Sequence, residues 1–438
     1  MTVSPEKRLE ILDALRRGTV PRNGVEALAV GLDRFSTCLD EELDRVGKGG
    51  AVFKAIRGDY GCGKTFLARW LQDRALKKGF AVTEVQISET ETPLHRLETV
   101  YRRLIERLRT NDVDGGAFRS IVDAWFFALE EDVLAASSTA PSQETLLKRT
   151  NELIEQRLQV VSKTTPVFAI ALRAYRAAVT QNQKAVADGI LAWLGGQPAV
   201  GAEAKRAAGI RGEVDHFAAL GFLQGLLTLL RDSGLPGLLI ILDEVETLQR
   251  VRGDVREKAL NALRQLIDEI DAGRFPGLYL VITGTPAFFD GPQGVQRLAP
   301  LAQRLHVDFT TEARFDNPRA VQLRLSAFTR DSLIEVGTRV TRLFAEGTPN
   351  SERIRQRADA ALLEDLAQAV AGKLGGKVGV APRLYLKKLV GDVLDRIDQF
   401  PDFDPRRDYA LTVTPTELTL VEQSAAGVGS VDDIKLNL

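Results

Sequence analysis

With 438 residues, 44% of them hydrophobic, the chain has enough apolar surface to bury more than one core, and its length predicts about two or three domains. Its 58 basic and 59 acidic residues leave a net charge of −1, which excludes a binder that works through an overall positive field and confines any nucleic-acid contact to a local patch. Two cysteines (Cys38 and Cys62) and three scattered histidines (His95, His216 and His306) exclude a disulfide framework or a zinc site. The first residues carry no apolar signal core, and the longest apolar runs, such as Leu235–Leu242, are too short to cross a bilayer. These features predict a cytoplasmic protein without a membrane segment.

In chain order, Leu9, Leu12 and Leu15 predict a helix within residues 1–17, broken by the turn residues of Gly18–Gly24. A second helix is expected from Leu32 to Val46. A strand, Ala51–Ile56, then leads into a glycine-rich loop and an amphipathic helix, Phe66–Lys78, closed by Gly79. Ala81–Ser88, Leu238–Leu242 and Leu278–Thr283 read as further strands, the last two with the unbroken apolar character of strands covered on both faces. His306–Phe309 is expected to be a fifth. Between them, residues 89–237 are helical in pattern, with Leu97, Val100, Tyr101, Leu104, Ile105 and Leu108 forming one apolar stripe. Residues 195–212, rich in Gly and Ala, are expected to be a flexible link. Asn317-Pro318 has the composition of a helix start, and a helical pattern runs from there to about residue 400. Strands separated by helices predict an α/β, three-layer core. The expected organisation is an N-terminal helical segment (1–50), a core (51–316) with a helical insertion (89–237), a helical lid (317–404), and a tail of unknown type (405–438).

The loop Gly58-Asp59-Tyr60-Gly61-Cys62-Gly63-Lys64-Thr65 matches G-x-x-x-x-G-K-[ST] and sits between a strand and a helix. A triphosphate needs many N–H donors close to its oxygens, and glycines let the backbone approach. Lys64 is expected to reach the β- and γ-phosphates and Thr65 to bind Mg2+, and Phe66, just behind the motif, is placed with Gly58–Thr65 among the nucleotide-binding residues. Cys62 has two readings: a small residue that fits, or a thiol whose pKa the helix N-terminus lowers. Leu238–Leu242 ends in Asp243 and Glu244, a carboxylate for the magnesium hydration shell and one to polarise the attacking water. A strand between the phosphate-loop strand and the Asp243 strand, together with a Glu after that Asp, marks one large ATPase class. Ala81–Ser88 is taken to supply the strand.

These parts resemble an AAA+ P-loop ATPase over residues 40–88 and 235–395. The resemblance implies a sensor-1 residue in Leu278–Pro286, either Thr283 or Thr285. It implies an arginine finger at Arg304, with Arg297 as the alternative, which would act on a neighbouring subunit's ATP. It also implies a sensor-2 arginine, Arg383, in Gly379-Val-Ala-Pro382-Arg383-Leu. Gly18–Gly24, Arg57–Phe66 and Thr92–Tyr101 together resemble the ATP-binding protein family of the BREX phage-defence systems. That similarity implies an ATPase acting on DNA beside a helicase partner, while a finger at Arg304 implies a homo-oligomer with ATP and Mg2+ bound between subunits. A transposition-type AAA+ regulator that forms filaments on DNA, and a nucleotide-gated switch with little turnover, are the alternatives. Arg96, Arg102, Arg103, Arg107 and Arg109 are either a phosphate-contacting cluster or a solvated helix face.

Overall fold

The computed structural model describes residues 3–137, 141–373 and 382–410. The chain divides into two compact units: Met1–Cys38, Ile56–Asp73 and Asp308–Leu438 form one, and Leu39–Ala55 with Arg74–Val307 the other. Five strands, β1 (Val52–Arg57), β2 (Ala81–Gln86), β3 (Leu238–Asp243), β4 (Leu278–Gly284) and β5 (Gln322–Arg324), form a sheet in the order β2-β3-β4-β1-β5. The β2/β3 and β3/β4 pairs are parallel, with Ala81 opposite Leu238, Gln86 opposite Asp243 and Leu238 opposite Leu278. Every residue of β3 and β4 is buried. Their Leu, Ile and Val side chains therefore face protein on both sides, as parallel strands require.

This order corrects one sequence expectation. Ala81–Gln86 lies between the phosphate-loop strand and the Asp243 strand in the chain, but β4 lies between them in the sheet.

In the second unit, eight helices among the described residues run between β2 and β3. The expected stripe of Leu97, Val100, Tyr101, Leu104, Ile105 and Leu108 is buried throughout. A second aromatic core forms where Phe222 meets Tyr101, Phe168 and Trp193, with ring centroids 5.9, 5.0 and 5.4 Å away. Residues 195–212 are not merely a link. They contain the helix Ala202–Ala208, whose Ala204 packs so tightly on Gly189 that a Cβ there would stand 2.6 Å from the alanine methyl. The small residues serve close helix packing.

In the first unit, Ser4 caps the helix Pro5–Arg16, which buries Ile11, Leu12 and Leu15 in one core with Leu333, Val336 and Val340 of the helix Arg330–Ala345. Tyr385 enters that core over Gly337, where a Cβ would meet its hydroxyl at 2.1 Å. Two expectations fail here. His306–Phe309 is not a strand: the Asp308 carboxylate accepts from the Thr310 N–H at 2.8 Å, a local bond that competes with sheet pairing. The fifth strand is β5, followed by the Leu325 N–H donating to the Arg57 carbonyl at 2.8 Å. Asn317-Pro318 opens a turn, with the Asn317 side chain and carbonyl accepting from Arg319 and Ala320. The helix begins later, where Thr329 caps it by accepting from the Ser332 N–H at 3.2 Å. Residues 411–438, left unclassified from sequence, lie outside the described residues.

Candidate nucleotide site

In the first unit, the end of β1 delivers the chain into the loop Gly58–Gly63, and Lys64 opens the helix Lys64–Lys77. The glycines answer to two geometric needs. A Cβ on Gly58 would lie 2.4 Å from Cys62 Sγ and 3.2 Å from Leu325 Cβ, while Gly61 and Gly63 hold φ values of +80° and +98°. Lys64 is buried, and its ammonium donates to the carbonyl oxygens of Gly58 at 2.9 Å and Asp59 at 3.1 Å. It also stands 5.2 Å from the ring centroid of Tyr60. The cation is thus held over the loop it belongs to, where an anion's oxygens would compete for the same protons. Asp59, Tyr60 and Gly61 are exposed, and Thr65 and Phe66 are half-buried on the first helical turn. Burial pushes the Cys62 thiol pKa up, so the buried sulfur stays protonated and favours the small-residue reading over a redox switch.

The same unit holds Arg383, on the helix Pro382–Lys387, with the helix-opening proline expected from sequence. Its guanidinium lies against Gly18: a Cβ at that left-handed position would sit 3.3 Å from Arg383 Nη1 and 3.5 Å from Lys387 Cδ. Arg69, on the phosphate-loop helix, donates to the Val20 carbonyl. The Gly18–Gly24 segment therefore touches both helices. Gly379, Val380 and Ala381 lie outside the described residues.

In the second unit, Asp243 ends β3 with 5% of its surface exposed, and Thr283 lies in β4 with none. The Thr283 hydroxyl donates to Asp243 Oδ1, while the Glu244 N–H donates to that oxygen at 3.1 Å and to Thr283 Oγ1 at 3.0 Å. Glu244 adopts φ +59°, ψ +43°, a left-handed conformation that a side-chain-bearing residue rarely takes. The bonds from its N–H support that geometry, as does the Thr247 hydroxyl donating to its carbonyl at 2.9 Å. Its carboxylate accepts from Gln86 Nε2 at 2.7 Å. Gln86 was not singled out from sequence. The available signal was a polar residue at the carboxyl end of β2, opposite Asp243.

The two threonines part here. Thr283 joins the acidic pair, whereas Thr285 precedes the helix Pro286–Asp290 and accepts through its carbonyl from Phe288 at 3.0 Å. Arg304, on the helix Ala299–Leu305, pairs with Asp268 with its side chain 40% exposed, and Arg297 is exposed on a short 3-10 turn. Of the arginine stripe, Arg103 pairs with Glu106 at 2.9 Å, Arg109 with Asp114 at 2.5 Å, and Arg107 bonds the Glu84 carbonyl at 3.3 Å. Those three serve the fold of their own unit.

The family model for the BREX system ATP-binding protein BrxC/D matches residues 3–413. The chain belongs to that family. No curated protein and no solved structure matches it. Membership makes it an ATP-binding protein of BREX phage defence. Among the described residues no helix is long and apolar enough to cross a membrane. Nor do they contain a group of three His, Cys, Asp or Glu side chains that could cage a metal. Magnesium needs no such cage: one or two protein oxygens and the phosphates of its nucleotide suffice, and the Thr65 hydroxyl and Asp243 carboxylate are hard donors of that kind.

Proposed function

We propose that the protein is a magnesium-dependent ATPase that works as a homo-oligomer and couples nucleotide hydrolysis to DNA and a helicase partner in BREX defence. The observation that carries the reading is the bonded set Asp243, Glu244 and Thr283, in which a strained backbone aims one carboxylate apart from the other. A structural Asp-Glu turn has no need of that strain, which costs about 1–3 kcal/mol.

Each residue then has a task. The N–H groups of the loop and the first helical turn bind phosphate oxygens, and Lys64 exchanges its bonds to the Gly58 and Asp59 carbonyls for the β- and γ-phosphates. Thr65 and Asp243 would hold the magnesium ion, which would withdraw charge from the phosphate oxygens. Glu244 orients the attacking water and takes its proton. Thr283 keeps Asp243 and the Glu244 backbone in register. Arg383 places a permanent positive charge on the nucleotide's lid side, and Arg304 does so from a neighbouring subunit.

The test is steady-state phosphate release and nucleotide binding, with single-stranded DNA, duplex DNA and no DNA, alongside the mass of the ATP-bound assembly. Wild type should turn over and assemble with ATP. Lys64→Ala should lose binding, and Glu244→Gln should bind without turnover. Tight ATP binding by Lys64→Ala, or full turnover by Glu244→Gln, would refute the assignment.

A further inference from the structure

The helices Leu97–Glu106 and His216–Asp232 of the second unit lie side by side. Leu97, Val100 and Tyr101 share one apolar seam with Ala219, Leu220 and Leu223. Tyr101 meets Phe222 edge-on at 5.9 Å and His216 stands near enough to act on His95, so the two helices run the same way and Arg96 and Phe217, five positions earlier, stand at the same end of the pair. That end has an unusual composition. Phe217 is 78% exposed, although every other aromatic of the two helices is buried. Its ring meets His216 edge-on at 5.4 Å. Arg96 and Lys258, the latter on the helix Gly253–Asp271, are exposed, and His95 is half-buried beside them.

Burial, followed by the charges of Arg96 and Lys258, pushes the His95 pKa down, with His216 acting in the same sense and only Glu98 opposing. Positive groups thus outnumber negative ones around this imidazole. Cations and imidazoles crowded together are completed by an anion, and an exposed phenylalanine is completed by a flat apolar face. A phosphodiester strand with unpaired bases carries both at once. An acidic peptide would answer the cations and leave the ring in water.

We propose that His95, Arg96, His216, Phe217 and Lys258 form a binding surface for single-stranded nucleic acid. This deepens the DNA-acting part of the function above and rests on it. Arg96 and Lys258 contact phosphates, Phe217 stacks on a base, and the two imidazoles donate to phosphate oxygens from the seam between them.

The test is fluorescence anisotropy of a fluorescein-labelled oligothymidylate, titrated with the full-length protein at several salt concentrations. Arg96→Ala and Lys258→Ala should each weaken binding and lower the salt slope by about one. Phe217→Ala should weaken binding roughly 5- to 100-fold without changing the slope. Phe217→Trp should retain it, which separates stacking from a folding defect. Wild-type affinity in all three alanine variants would overturn the proposal. So would equal affinity for duplex with no effect of Phe217→Ala, or displacement of the oligonucleotide by polyglutamate at equal charge. ATP turnover measured on the same preparations distinguishes the two readings. Turnover with no effect of the variants on the oligonucleotide removes the surface and leaves the ATPase. Oligonucleotide binding lost in the variants of a protein without turnover does the reverse.

Discussion

Gln86→Ala tests how Glu244 is restrained. Gln86 Nε2 donates to Glu244 Oε2 at 2.7 Å, so one lone pair of the proposed base is engaged on the β2 side. A hydrogen bond to a charged acceptor contributes about 1.5–3 kcal/mol when shielded, and this pair is exposed, which reduces the figure to about 0.5–1.5 kcal/mol. If that free energy holds the carboxylate turned toward Gln86, its loss enriches the released form about 2- to 12-fold, taking tenfold per 1.36 kcal/mol. Basal kcat should rise by that factor at saturating Mg-ATP, with nucleotide affinity unchanged. Gln86→Asn, one methylene shorter, should behave like the alanine variant. Phosphate release and fluorescent-nucleotide binding give both quantities. A fall in kcat in both variants would mean that Gln86 positions Glu244 for chemistry, and the restraint would be refuted.

Thr283→Val removes the hydroxyl that bridges Asp243 and the Glu244 N–H, and it should lower kcat/KM by about 100-fold while Thr285→Val stays within about twofold. Equal losses would dissolve the distinction between the two threonines. Arg304→Ala should bind ATP and lose hydrolysis, and mixing it with Glu244→Gln should restore activity; no restoration would remove the finger acting between subunits. Asp268→Asn frees Arg304 from an exposed ion pair worth about 0–1 kcal/mol, so unfolding should be unchanged and half-maximal turnover should need less protein. A concentration dependence identical to wild type would show that the pair does not hold the finger back. Glu42→Ala removes the carboxylate that pairs with the 2% exposed Lys54 at 2.6 Å and accepts from the buried Tyr279 hydroxyl at 2.5 Å, and should destabilise by about 3–5 kcal/mol in urea unfolding. Lys54→Met and Tyr279→Phe combined with Glu42→Leu should recover most of that loss, and a triple variant as unstable as Glu42→Ala would contradict the desolvation argument.

The parts of this molecule that were legible in sequence are those whose physics is local. Gly58–Thr65 declares itself because the glycine positions, the lysine and the following helix are set by one short stretch of backbone. The β3 and β4 runs do so because burial on both faces leaves no polar position. The failures have local causes too, but ones that a pattern of residue types cannot rank. Asp308 could sit in a strand or bond its own backbone, and it does the second. Asn317-Pro318 could cap a helix or close a turn, and Thr329 takes the cap instead. The Gly and Ala content of residues 195–212 reads as flexibility until Gly189 is seen against Ala204.

What no local signal carries is the setting of the acidic pair. Gln86 and Glu244 are 158 residues apart, joined only because β2 and β3 are neighbours in parallel register, and an insertion with eight helices among the described residues runs between them. The choice between Thr283 and Thr285 depends on the same sheet, since strand residues alternate in direction and the chain leaves β4 after Gly284. The phosphate loop is therefore written in one segment, whereas Glu244, the proposed base, is positioned by three strands. Substitutions at the first should be read as loss of a ligand site, and those at Gln86, Thr283 and Thr247 as changes in where one carboxylate points.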